Sequence, residues 1–194
     1  MPGTRVALST FGASFGDETL CASDAEAGRL DELQIDLGEG PSWQSVREHR
    51  PVFAADLRGV PSAWPVFAHA ADRMPTRSAF AFPLAVGVVE LGALGIYADE
   101  SETLTRHDVA AVSALASIAA TQVLRRTFAR MDKVPDESYS RREVHQATGM
   151  VIAQLEVTAT AALLIIQAHA FALGLTVRAL ATEIVGRRID LSDA

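Results

Sequence analysis

The chain has 194 residues, 49% of them hydrophobic, with one cysteine and a formal charge of −7. This composition supports a proper core and fits one or two domains, and it excludes a disulfide framework because Cys21 has no partner in the chain. With no signal peptide and no long apolar run, the sequence reads as a soluble cytoplasmic protein without a membrane segment.

Five runs of β-branched, aromatic and small apolar residues are predicted as strands, at residues 5–10, 19–23, 51–56, 79–86 and 88–98. Gly87 breaks the last two into an antiparallel hairpin, and Gly38-Glu39-Gly40-Pro41 marks a turn. Residues 25–30 and 64–71 read as short helices between strands. The order is α+β, with no repeated βαβ unit. Residues 105–131 form a longer helix in which Val109, Val112, Ala116, Ala119 and Val123 recur at spacings of three and four. Leu124, Phe128 and Met131 continue an apolar side that drifts around the axis. Such a seam either packs wholly on its own sheet or also forms a parallel helix pair. Arg125, Arg126 and Arg130 suit the negative end of the helix dipole.

The polar run Asp132-Lys133-Val134-Pro135-Asp136-Glu137-Ser138 stops that helix and separates two domains. Residues 1–131 form the first domain, 132–138 the linker and 139–194 the second domain. Ser140-Arg141-Arg142-Glu143 fits a capping box, so a helix is predicted to begin near Arg141. Val144, Ala147, Val151 and Leu155 share its core side, with Arg142, Gln146, Gly149 and Ala153 opposite. Gly149 inside the helix implies either close approach of another group or simple tolerance. A second helix, residues 159–173, is apolar almost all round and is expected to be enclosed by its neighbours; it is too short to span a bilayer. Gly174 suits its end, and Thr176 caps a third helix with Val177, Leu180, Ala181 and Ile184 inward and Arg178, Thr182 and Gly186 outward. Three helices in so few residues make a marginal core, which predicts a partner or a dimer.

No motif for catalysis is present: there is no Gly-x-Ser-x-Gly elbow, phosphate loop or His-Glu-x-x-His. The chain is not expected to be an enzyme. His49, His69, His107 and Cys21 have no metal-ligand spacing, so neither a metal nor a cofactor is expected.

Leu37-Gly38-Glu39-Gly40-Pro41-Ser42, Pro51-Val52-Phe53 with Asp56-Leu57, Trp64-Pro65, and Phe82-Pro83-Leu84 leading into Leu91-Gly92-Ala93-Leu94 together resemble a GAF domain. The resemblance implies a signal-sensing fold with a central antiparallel sheet and a small-molecule pocket opposite the packed terminal helices. Phe53, Trp64, Phe67, Phe80 and Phe82 either line that pocket or pack as ordinary core. The helix that often leads such domains has no counterpart before the first strand, which either shortens the start or leaves an apolar face that favours self-association.

Val144-His145-Gln146-Ala147-Thr148-Gly149-Met150-Val151, Ala162-Leu163, Ala168-His169-Ala170-Phe171 and Ala181-Thr182-Glu183-Ile184-Val185 resemble an ANTAR domain. That resemblance implies an all-α, three-helix module that binds paired RNA hairpins as a homodimer and antiterminates transcription. On this chain the RNA-binding positions are Arg141, Arg142, His145, Gln146, Gly149 and Arg178. His145 either meets a loop base or is a surface histidine without a role, and His169 reads as a satisfied core histidine. Relatives carry Lys and Arg where this chain has Thr148 and Gln167. From Val134 onward, five arginines face seven carboxylates, so weak background binding that depends on loop-base contacts is expected. The alternative, of a different class, is a ligand-sensing or protein-interaction dimer whose helical tail has lost RNA binding.

Overall fold

The computed structural model describes residues 4–12, 16–59, 63–130 and 141–191. They divide into two compact units, residues 1–139 and 140–194. The predicted linker, Met131 and the capping residue Ser140 lie outside the described residues.

In the first unit, β1 (Arg5–Thr10), β2 (Glu18–Ala22), β3 (Val52–Ala54), β4 (Ser78–Val86) and β5 (Val89–Ala98) form one antiparallel sheet in the order β2-β1-β5-β4-β3. Gly87 and Val88 make the two-residue connection of the β4–β5 hairpin, whose last pair is Val86 with Val89. The long β4 and β5 take the centre with β1. The short β2 and β3 are the edges.

The two faces of the sheet are covered differently. Alternation along β4 sends Phe80, Phe82 and Leu84 to one face, where they meet Leu91, Leu94 and the small residues Ala116 and Ala120 of α4 (Arg106–Arg130). Alanines at those two positions let a long helix lie close to the strands. Thr105 and Asp108 hold the start of α4 reciprocally: the Asp108 carboxylate accepts from Thr105 N at 2.9 Å, and Thr105 Oγ1 accepts from Asp108 N at 3.2 Å. The other face carries α1 (Ala25–Leu37), α2 (Pro41–Glu48) and α3 (Pro65–Ala71), whose Ala27, Leu30, Phe67 and Ala71 pack with Ala7, Ala54, Ala79 and Tyr97.

Two helical expectations are corrected here. The helix expected at residues 25–30 runs on to Leu37, and α2 follows where a turn is expected. The turn is confined to Gly38-Glu39-Gly40. Gly40, at φ 129, caps α2, and Pro41 takes its first position, where the missing N–H is harmless. A Cβ at Gly40 would lie 2.5 Å from Gln34 Oε1, so only glycine lets α1 and α2 close this tightly. The expectation of no long apolar run is corrected as well. Within residues 106–128 of α4 an 18-residue stretch reaches a mean hydropathy of 1.3, so the helix is long and apolar enough to cross a membrane by length and composition alone, although one side packs on the sheet.

The second unit consists of α5 (Arg142–Leu155), α6 (Ala159–Leu173) and α7 (Val177–Val185). Val144, Ala147, Val151, Ala162, Ile166, Ala170, Val177, Leu180, Ala181 and Ile184 form its core. The N-cap of α5 is Arg141, without a side-chain capping bond. Thr158 and Thr176 cap α6 and α7 through bonds from Ala161 N at 3.2 Å and Ala179 N at 3.1 Å. Gly174 ends α6 in the left-handed region at φ 66. The expectation that α6 is enclosed by its neighbours is corrected: Leu164 and Phe171 are each 59% exposed. Only the stripe through Ala162, Ile166 and Ala170 is covered, because two helices cannot surround a third.

Candidate functional site

The most chemically distinctive region of the first unit is a buried polar cluster between α1 and the sheet. Asp31 and Gln34, three residues apart, share the sheet-facing side of α1 with Ala27 and Leu30. Asp31 Oδ1 accepts from Ser9 Oγ of β1 at 3.0 Å, and Oδ2 accepts from Thr19 Oγ1 of β2 at 2.6 Å. Gln34 Nε2 donates to the Tyr97 hydroxyl of β5 at 2.8 Å, and its Oε1 accepts from Ser42 N of α2 at 2.9 Å. Burial pushes the Asp31 carboxyl up to about 6 even though both hydroxyls stabilise its charged form. Burial likewise drives the Tyr97 hydroxyl well above its ordinary range. None of these residues is a predicted site residue. Their signal in the sequence is two polar side chains on the apolar side of α1, visible only once that helix is extended to Leu37.

The five aromatic residues expected at a common pocket are divided between the two faces of the sheet. Trp64 and Phe67 are buried on the α1–α3 face. Phe80 and Phe82 are buried on the α4 face. Phe53 is 49% exposed and meets those two rings tilted and edge-on, at centroid distances of 6.3 and 6.0 Å. They therefore do not line a single pocket, because the sheet itself stands between the two groups. Trp64 Nε1, on the α1–α3 face, and Thr76 Oγ1, in the connection before β4, are buried without a hydrogen-bond partner. A cleft of about 50 Å³ at the end of α2 is lined by Val46, His49, Pro83, Leu84, Ala85, Glu90 and Gly92, none of them a predicted pocket residue. It has room for about one or two waters. His49 and Glu90 pair across it. Among the described residues no group of three His, Cys, Asp or Glu side chains could hold a metal ion.

A family model described as GAF domain matches residues 4–122. The chain belongs to the GAF domain family. Signal sensing is the role this membership suggests for the first unit. Solved structures similar to the chain include a domain of a putative two-component sensor histidine kinase from Sinorhizobium meliloti, with 12% identity over 66% of this chain and 84% of that one and a TM-score of 0.49. The third GAF domain of a Synechocystis protein, in its photoproduct state, has 20% identity over 66% of this chain and 87% of that one, with a TM-score of 0.49. The GAF domain of the cyanobacteriochrome TePixJ has 18% identity over 64% of this chain and 79% of that one, with a TM-score of 0.48. No curated protein matches the chain.

Beyond the GAF match, the second unit carries the other predicted site residues. Burial of Val144, Ala147 and Val151 turns the opposite side of α5 outward, so Arg142, His145, Gln146 and Gly149 are exposed. Arg141 and Arg178 are half-buried. Arg178 stands at the start of α7, which packs against α5. Arg141, Arg142 and Arg178 each have a partner within the protein. A Cβ added at Gly149 would meet open space. Close approach within the protomer is thereby removed as the reason for that glycine. Thr148 Oγ1 donates back to Val144 O at 2.7 Å, a helix-internal bond that occupies the hydroxyl. His169, half-buried, donates from Nδ1 to Ile165 O at 2.9 Å.

Proposed function

We propose that this protein is a cytoplasmic, signal-responsive RNA-binding regulator. Its GAF domain receives the signal, and α5–α7, working as a dimer, bind hairpin RNA and prevent a terminator from forming. The reading assigns no catalytic step. It is supported above all by the exposed face of α5, where Arg142, His145, Gln146 and Gly149 stand together opposite a fully apolar buried side. That face coincides with the elements that resemble an ANTAR domain. A helix with one polar, glycine-containing side and no side chain at its centre suits the approach of a loop base, which single-stranded RNA can present unstacked.

The sensing half draws support from the α1–α3 face of the sheet. Trp64 Nε1–H, buried there without a partner, is a donor that a small polar ligand would satisfy. A ligand there would press on α1 and α3 and alter the sheet that α4 covers. Reorienting α4 in a dimer would then change the spacing of two output units and so their affinity for a pair of hairpins.

Gel-shift titration on two-hairpin RNA tests this. Arg141→Ala with Arg142→Ala is expected to abolish a shift that the unmodified chain gives; an unchanged affinity would remove the assigned face. A second reading, a GAF sensor whose helical tail only holds a dimer together, is favoured by Thr148, whose hydroxyl is closed onto its own helix where relatives present Lys. A solution mass twice that of the chain, with no shift on any hairpin RNA, would select it.

A further inference from the structure

Asp31 is fully buried, and its bonded partners are Ser9 and Thr19, themselves 0% and 2% exposed. No basic side chain figures among the groups that act on it. A buried carboxylate held only by hydroxyls keeps much of its desolvation cost, because hydroxyl bonds spread the charge without neutralising it. The same two hydroxyls favour the carboxylate, yet they also bond the neutral acid. Protonated Asp31 donates its own O–H to one of them and accepts from the other, so proton uptake removes the charge and leaves the bonding intact.

The position of the cluster gives this a mechanical consequence. Asp31 ties α1 to two strands at once, and one of them, β2, is a five-residue edge strand paired only with β1. The β1–β2 register shifts between Leu8 and Ser9, beside the Ser9 hydroxyl that Asp31 holds. The bond to Thr19 is therefore a side-chain clamp at the point where the backbone ladder is interrupted. β2 also carries Cys21, which feels the charge of Asp31 on one side and that of Arg126 of α4 on the other. A change at β2 is thus in electrostatic reach of the last turns of α4.

We propose that Asp31 is a proton-operated clamp of the GAF domain: proton uptake tightens the corner formed by α1, β1 and β2, and proton release loosens it. Among the facing titratable groups, Glu32 on α1 opposes the charged form, whereas the neutral Tyr97 hydroxyl on β5 favours it through a hydrogen bond that burial outweighs. Cys21 on β2 is held protonated by burial. Arg5 on β1 is committed to Asp24, Glu26 and Asp99. α2 and α3 contribute no titratable group to the set acting on Asp31. The folded carboxyl titrates at about 6 against an ordinary 3.8, so the folded state holds a proton that the opened corner releases. The stabilisation is complete below 3.8 and is lost as pH rises through about 6. The inference concerns the GAF unit alone and stands whether or not α5–α7 bind RNA.

Hydrogen exchange of the full chain, followed by mass spectrometry from pH 5 to pH 8 and corrected for intrinsic exchange, tests the clamp. Protection of peptides covering Glu18–Ala22 and Ala25–Leu37 should fall by about tenfold relative to the β4–β5 hairpin, and Asp31→Asn should flatten the dependence. An equal fall in Asp31→Asn, or none in the unmodified chain, overturns the proposal. Should Asp31→Asn fail to fold, carbon-13 NMR of the Asp31 carboxyl in the unmodified chain decides. A midpoint near 6 that moves higher in Thr19→Val supports the clamp, and a midpoint at an ordinary carboxylate value overturns it.

Discussion

Gln34 joins three elements from one side chain and its own carbonyl. It donates to Tyr97, accepts from Ser42 N, and its backbone oxygen accepts from Trp43 Nε1 at 2.8 Å. Such an amide is costly to leave half satisfied, since a buried donor without an acceptor keeps its full desolvation penalty. Tyr97→Phe should therefore lower stability by about 1–3 kcal/mol in urea unfolding, more than the loss of one average hydrogen bond. Gly149 carries the opposite expectation. In an exposed helix, alanine is favoured over glycine by on the order of 1 kcal/mol, and a Cβ there meets nothing in the protomer. Gly149→Ala should raise the stability of the helical unit by about that amount while weakening RNA binding in a gel shift. Stabilisation with unchanged RNA affinity would mark the glycine as merely tolerated.

At the scale of elements, periodicity and turn chemistry placed all five strands and the helices α3 to α7 with small shifts at the ends. The reason is that alternation in β4 and three-four spacing in α4 reflect burial directly. What stayed hidden followed from topology. Phe80 and Trp64 look alike in sequence, yet the pleat sends Phe80 to the α4 side and the α3 connection leaves Trp64 on the other, so a shared pocket could not be read from composition. Asp31 stayed hidden because it lies just past the end of the short helix predicted at residues 25–30, where an acidic residue looks like solvent-facing polarity; its burial depends on β1 and β2 bringing hydroxyls to it. Two element-scale tests follow from the helices. Glu156 ends α5 in the left-handed region at φ 54, where a side chain is strained, so Glu156→Gly should stabilise by about 0.5–1 kcal/mol in thermal or urea unfolding. On α4, Leu115 and Ile118 are 60% and 61% exposed on the side away from the sheet. Replacing both with Glu should convert the proposed dimer to a monomer in sedimentation without unfolding the GAF unit, whereas an unchanged dimeric mass would place the interface elsewhere.

The whole molecule consists of two compact units. The GAF unit is a sheet covered on both faces, with its distinctive chemistry in the interior. The helical unit has a small core and an outward α5 face, and its five arginines are balanced by five carboxylates, which leaves no net positive charge for a strong non-specific hold on nucleic acid. In the proposed RNA-binding dimer, affinity would then come from a few arginines used twice, once in each protomer, with loop bases supplying the rest. Binding so built should be modest, salt-dependent and lost when the dimer is broken. The direct measurement is an anisotropy titration of two-hairpin RNA with the full chain across a salt series. The account predicts saturable binding whose logarithm falls with log salt at a slope of roughly −3 to −5, as expected for up to about six neutralised phosphates, and loss of binding in the Arg141→Ala, Arg142→Ala variant. Absence of saturable binding by the unmodified dimer at low salt would contradict it.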